Sequence, residues 1–271
     1  MGDRRTIAPR VIAVMGAARG TGRSTIALNL AAGAARRAMR VCLLDAAGAA
    51  PLGDGAPRAR ATLLEVAAGR ARLSDALAPG PNGVDALSLA AGRRRAPLAV
   101  SESALLAAVD ALEARYDLVL VDAPSGPQPR GLFFAAAATD VLLVVTPEAQ
   151  VLRQAETLVR LLAARCGRHE VLLVPNACAG PADAITVGLT LGALASRPPH
   201  VRLVPLGWIP YDGAVVQARR ARRALHAVAP DAPATGALDA VADRIFSLAP
   251  ARPTGGAQFF FQSLIAQGRA A

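Results

Sequence analysis

The stretch VIAVMGAARGTGRSTIALNLA, residues 11–31, decides the fold. Val11 to Met15 is an unbroken apolar run of strand length. Gly16 to Gly22 is a small-residue loop, and Arg23 onward carries the apolar spacing of a helix. A strand, a glycine loop and a helix in that order fit a phosphate cradle. In the pattern G-x-x-x-x-G-K-[ST], backbone amides wrap the phosphates, the Lys reaches the terminal ones and the hydroxyl holds magnesium. Here Ala17 stands at the first Gly and Arg23 at the Lys, while Gly22 and Ser24 keep their places.

Working outward, strands alternate with helices. Apolar runs at 11–15, 41–45, 118–122, 141–145, 171–175 and 201–209 fit buried parallel strands. Helical patterns fall at 23–38, 61–68, 101–114, 148–165, 183–195, 213–227 and 235–247. That alternation predicts an α/β fold, a doubly wound and mostly parallel sheet flanked by helices. The expected organisation is a short extension (1–9), one domain (10–248), a Pro/Gly linker APARPTGG (249–256) and a tail (257–271). GAAPLGDGAPRAR, 48–60, reads as a flexible loop.

Composition narrows the classes. The formal net charge is +10, and all 30 basic residues are Arg, so the charge reflects a compositional drift and is weak evidence for nucleic acid. No apolar run reaches the ~18 residues of a membrane span, and the start MGDRRTIAPR has no apolar core of a secretory signal. Cys42, Cys166 and Cys178 stand apart in apolar contexts and read as reduced thiols of a cytoplasmic protein. The three His residues lack metal-ligand spacing.

In open parallel sheets, ligands bind outside the carboxyl ends of the strands. Besides the loop, two such ends present carboxylates: LLDAAG gives Asp45 and LVLVDAPSG gives Asp122. A carboxylate there can hold a magnesium-bound water, or simply cap the following helix. For Asp122 the first reading is the stronger, and for Asp45 the two stay balanced.

Together these pieces resemble the MinD/ParA family of deviant P-loop ATPases, most of all its FlhG (FleN) regulators of flagellar number. Ala18 to Thr25 aligns with the family loop K-G-G-V-G-K-[TS]-T. Residues 62–92 resemble the stretch leading to the family's third strand, and ATDVLLVVTPEAQVLRQAETLVRLL (138–162) its ADEVLVVTTPEPTA region. VPLGWIPYDGAVVQARRARRAL (204–225) is close to the LGYIPYDPAV segment of the flagellar branch. The resemblance runs from about residue 10 to 248. It implies ATP or ADP with Mg as ligand. Gly20, Thr21, Gly22, Arg23, Ser24 and Thr25 would face the phosphates, with Asp45 and Asp122 at the strand ends. Ser24 and Asp122 would serve the metal, and Asn176 and Pro210 the adenine.

The departures bear on activity. The family's first loop Lys, which crosses a dimer interface, is here Ala18, and the second Asp of its D-x-D motif is Ala47. Arg23 keeps a charge, but its planar fork cannot sit where a slender ammonium does. Losing a water-positioning carboxylate and a trans cation removes transition-state electrostatics, where factors of ~10² to 10⁵ are usual. Hydrolysis is expected to be weak or lost, with no residue assigned a catalytic role, while the amides and helix N-terminus still attract phosphate.

Two surface features remain. On a helix, Phe260, Phe261, Leu264 and Ile265 share one face, as in a reversible amphipathic membrane anchor; folding back onto the domain or onto a partner is the alternative. Arg219, Arg220, Arg222 and Arg223 read as a solvated helix face ahead of a contact with DNA or with acidic partner surfaces, since no aromatics interleave. The resemblance implies flagellar partners, either the SRP-type GTPase FlhF or a transcription activator. The D-Q-x-x-x-L-R pattern tied to FlhF stimulation is missing. It also implies an ATP-dependent homodimer and a place at the inner membrane. An active ATP-driven membrane switch, and a ParA- or BcsQ-like role in partitioning or cellulose synthesis, stand as alternatives.

Overall fold

The computed structural model describes residues 9–48, 59–80, 83–90 and 100–250. The tail with Phe260, Phe261, Leu264 and Ile265 and most of the 249–256 linker lie outside the described residues.

The chain runs β1 (Arg10–Gly16), α1 (Arg23–Arg36), β2 (Val41–Asp45), α2 (Leu63–Ala67), α3 (Leu73–Ala76), β3 (Leu77–Pro79), β4 (Val84–Ser88), α4 (Glu102–Glu113) and β5 (Leu118–Asp122). It continues α5 (Pro129–Ala137), β6 (Asp140–Val145), α6 (Ala149–Cys166), β7 (Glu170–Pro175), α7 (Pro181–Gly192), β8 (Arg202–Pro205), α8 (Gly213–Ala221) and α9 (Pro233–Ser247). The strands form one eight-stranded sheet in the order β3-β4-β2-β5-β1-β6-β7-β8. Only the edge strand β3 is antiparallel to its neighbour. This is the doubly wound architecture expected: the sheet grows one way from β1 through β2 and the other way through β6 to β8.

Alternation along β1 explains why it is apolar throughout. Ile12 and Val14 face a core shared with α1 and α9, while Val11 and Ala13 face α2 and α4. Met15 joins a third cluster with α6 and α7. A strand buried on both faces has no polar side to offer. Alanine sets the helix spacing: Ala27, Ala31 and Ala34 are fully buried, and a β-carbon on Gly33 would come within 4.0 Å of Ala242 on α9. Ile26 and Leu30 fill what remains, each contributing roughly 1.5–3 kcal/mol on burial. At the foot of β1, Arg10 binds Asp140 at 2.8 Å and donates to the carbonyls of Ile245 and Leu248, tying the end of α9 to the sheet.

Several places differ from the sequence reading, beginning with the one-turn helix α3 (Leu73–Ala76), which has no counterpart in it. The hairpin β3–β4 has no counterpart in it, because β4 buries only Val84 and Leu87 and exposes too little pattern. Helix α5 is likewise absent from it: the run LFFAAA is buried almost throughout and so lacks a polar face. The strand expected over 201–209 stops at Pro205, which has no N–H, and Gly207 (φ +108°) redirects the chain. The helix expected over 213–227 ends at Ala221, where Arg222 turns left-handed at φ +53°.

Candidate functional site

The site is assembled at the carboxyl ends of β1, β2 and β5. Val14 of β1 and Asp45 of β2 both stand in register with Asp122 of β5. The loop from β1 to α1 then curls over these ends. Gly20 and Gly22 are left-handed, with φ +86° and +87°, a conformation that a side chain would strain. Gly22 is the N-cap of α1 and offers no side chain, and the first helical bond is Ile26 N–H to the Gly22 carbonyl at 2.9 Å. The amides of the first turn are therefore left to an incoming acceptor.

Two supports fix the loop. Gly126, after β5, donates its amide to the Gly16 carbonyl at 2.8 Å. Asn176, following β7, donates Nδ2 to the Thr21 carbonyl at 2.8 Å. The residue expected at the adenine thus has its amide nitrogen on the loop backbone. Pro210 lies near it through a bridge to Cys178, two residues beyond Asn176.

Arg23 defines the electrostatics. Its Nε donates to Asp122 Oδ1 at 2.5 Å and its Nη1 to the Ser125 hydroxyl at 2.7 Å. Asp122 is fully buried, and its Oδ2 makes no hydrogen bond of normal geometry. Burial lifts the Asp122 carboxyl above its ordinary range. The Arg23 guanidinium and the nearby Ser24 hydroxyl pull it back, and the neighbouring charge of Asp45 pushes the same way as burial.

Above this pair lies a cleft of about 400 Å³. Of the residues assigned to phosphate, Gly20, Thr21, Gly22, Arg23, Ser24 and Thr25 all line it. Asp45, Asp122, Asn176 and Pro210 sit below or beside it and are not part of its wall. The opposite wall holds Arg219, Arg222 and Arg223, which the sequence reading places on a solvated face. Arg219 lies on α8, and Arg223 follows the left-handed turn at Arg222, which no local pattern announces. Ser125 also escapes that reading, although it stands in the quoted DAPSG.

The cradle fits a phosphate-bearing anion: the left-handed Gly20 and Gly22 line the cleft at the start of α1, where helix geometry leaves amides without internal partners. The carboxylate does not fit a magnesium served by Asp122 in the expected way, because Arg23 already holds Oδ1.

Fold and loop together define a P-loop protein. No family model matches the chain. Along its sequence it is 32% identical over 265 residues to the antiactivator FleN of Pseudomonas aeruginosa, covering 94% of this chain and 93% of that one. In fold it is similar to the cell division ATPase MinD of Pyrococcus furiosus, with TM-score 0.72 at 22% identity, covering 89% of this chain and 99% of that one. It is similar as well to MinD of Pyrococcus horikoshii, solved with Mg-ADP, with TM-score 0.71 at 20% identity over 88% of this chain and 96% of that one. The chain belongs to the MinD/ParA family of P-loop ATPases and within it is most like FlhG (FleN).

Proposed function

We propose that this chain is an FlhG-type antiactivator that limits flagellar number, acting through protein contacts and binding ATP weakly or as a vestige. The observation that carries the reading is the likeness to an antiactivator along nearly the whole of both chains. The site supports the second half: Ala18 brings no cation to the loop, Ala47 no carboxylate, and Arg23 is engaged by Asp122 and Ser125. Partners on this reading are a flagellar transcription activator or the SRP-type GTPase FlhF. The segment with Phe260, Phe261, Leu264 and Ile265 serves as a peripheral anchor at the inner membrane. Among the described residues no helix is long and apolar enough to cross a membrane.

The test is a count of flagella per cell by electron microscopy in a strain lacking the gene, complemented with the full chain or with a chain cut after Pro250. Extra flagella restored to normal by the full chain support the reading. A normal count in the deletion strain overturns it and turns attention to a ParA- or BcsQ-like role. Failure of the shortened chain alone assigns the tail its part.

A second reading, an active ATP-driven dimer switch, is favoured by the intact left-handed glycines of the loop. It predicts steady phosphate release by the purified wild type. The first reading predicts release only after Ala18→Lys, Arg23→Lys and Ala47→Asp are combined.

A further inference from the structure

Arg23 occupies the loop position whose cation ordinarily serves the terminal phosphates, yet it is held from two sides. Nε donates to Asp122 at 2.5 Å and Nη1 to Ser125 at 2.7 Å, so the planar guanidinium is fixed by two acceptors at once. Its side chain is 10% exposed and that of Asp122 is 0% exposed. A divalent cation brought to the same carboxylate would face this guanidinium at close range beside two largely buried side chains, where the repulsion is weakly screened.

The charge missing from the loop is present on the other side of the cleft. Among the described residues its wall contains Arg23, Arg219, Arg222 and Arg223 and no Asp or Glu. Helix α8 ends at Ala221, and the left-handed Arg222 reverses the chain so that Arg219 before the turn and Arg223 after it line one cleft. All three are exposed, and a non-glycine residue at positive φ is uncommon outside such tight chain reversals.

We propose that this cleft binds a polyphosphate anion without magnesium. Arg23 stands in for the metal at Asp122, and Arg219 and Arg223 supply in cis the countercharge that Ala18 lacks. The proposal deepens the reading that the cleft takes a nucleotide and rests on it. The loop amides about Gly20 and Gly22, which line the cleft, receive the phosphates. The arginines across the cleft neutralise them, and their planar forks suit phosphate oxygens.

The experiment is calorimetric titration of the full chain with ATP and with inorganic tripolyphosphate, each in excess EDTA and in millimolar magnesium chloride. Affinity for ATP is expected to agree within about threefold between the two buffers. Arg219→Gln with Arg223→Gln, both at exposed positions, is expected to weaken binding about tenfold or more in EDTA and to flatten its salt dependence. Arg23→Lys, which keeps the charge but releases the fork, is expected to make binding magnesium-dependent; its thermal midpoint, measured alongside, shows that the variant is folded. Tripolyphosphate binding as tight as ATP assigns recognition to the phosphates alone, and weaker binding gives the base a share.

ATP binding by the wild type only with magnesium overturns this proposal and leaves nucleotide binding standing. No saturable heat in either buffer overturns both. The count of flagella is independent of each outcome.

Discussion

Gly22 and Asn176 meet at the base of the loop so closely that a β-carbon on Gly22 would lie 2.1 Å from Asn176 Nδ2. These residues are far apart in the chain, yet the amide that fills the space beside Gly22 also holds the Thr21 carbonyl. The glycine is needed twice, for its φ of +87° and for its missing side chain.

Gly22→Ala is therefore expected to destabilise the domain by roughly 1–3 kcal/mol. Left-handed backbone in a β-carbon-bearing residue costs about 1 kcal/mol, and expelling Asn176 loses a hydrogen bond worth about 1 kcal/mol more. Asn176→Ala alone is expected to cost only the second part. Urea midpoints of the two variants, at equal slope, distinguish these sizes.

Arg23→Met removes the partner of a fully buried carboxylate, and the expected loss is about 3–5 kcal/mol at neutral pH. The pH dependence follows from Asp122. Its folded pKa already lies above the ordinary value, mainly through burial, and loses the opposing pull of Arg23 in the variant. Between the unfolded and folded values the native state binds more protons, so stability rises as pH falls through that window. Guanidinium midpoints near about pH 5 and about pH 8 should converge on the wild type at the acid end. Adding Asp122→Asn should remove most of the difference; an unchanged pH slope would show that Asp122 is not its source.

Arg168 is 2% exposed and donates to four carbonyls at the end of α5: Ala135 at 2.7 Å, Thr139 at 3.1 Å, Ala136 at 3.2 Å, and Ala138. A helix leaves its last carbonyls without internal partners, and here one planar cation gathers them. Arg168→Lys cannot reach them all and is expected to cost about 2–4 kcal/mol. Thermal unfolding with circular dichroism measures the loss, and an unchanged midpoint would remove this role.

Cys42, Cys166 and Cys178 are all free and buried. Burial pushes the Cys178 thiol up to about 11, with Asp183 and Glu148 adding to the shift, and drives Cys42 higher still. At about pH 8 such a thiol holds on the order of a hundredfold less thiolate than an ordinary one. Native protein should leave these thiols nearly silent to Ellman's reagent, with all three reacting on unfolding in denaturant.

Much of this was legible before any coordinates. The apolar runs at 11–15, 118–122 and 141–145 lie in β1, β5 and β6, since strands buried on both faces announce themselves by continuous hydrophobicity. Residues 20–25 line one cleft, because their spacing places them on a single loop and helix turn. The hairpin β3–β4 and helix α5 were not legible: one is too short to show a period, and the other is buried over most of its length.

By itself the sequence determined what is local. It set the strand, the glycine loop and the helix, the substitutions at Ala18, Arg23 and Ala47, and the order of elements that makes a doubly wound sheet. Tertiary structure alone decided which partners these residues have. Arg23 meets Asp122 because β5 lies next to β1 in the sheet, a pairing between strands about a hundred residues apart. Arg219 and Arg223 line the loop's cleft on either side of the left-handed Arg222, and beyond that turn the Leu225 N–H donates to Asn29 of α1 at 2.7 Å, a contact no local propensity specifies. Local patterns follow from the period of helix and strand, whereas a site's charge balance follows from contacts that only the folded chain brings together.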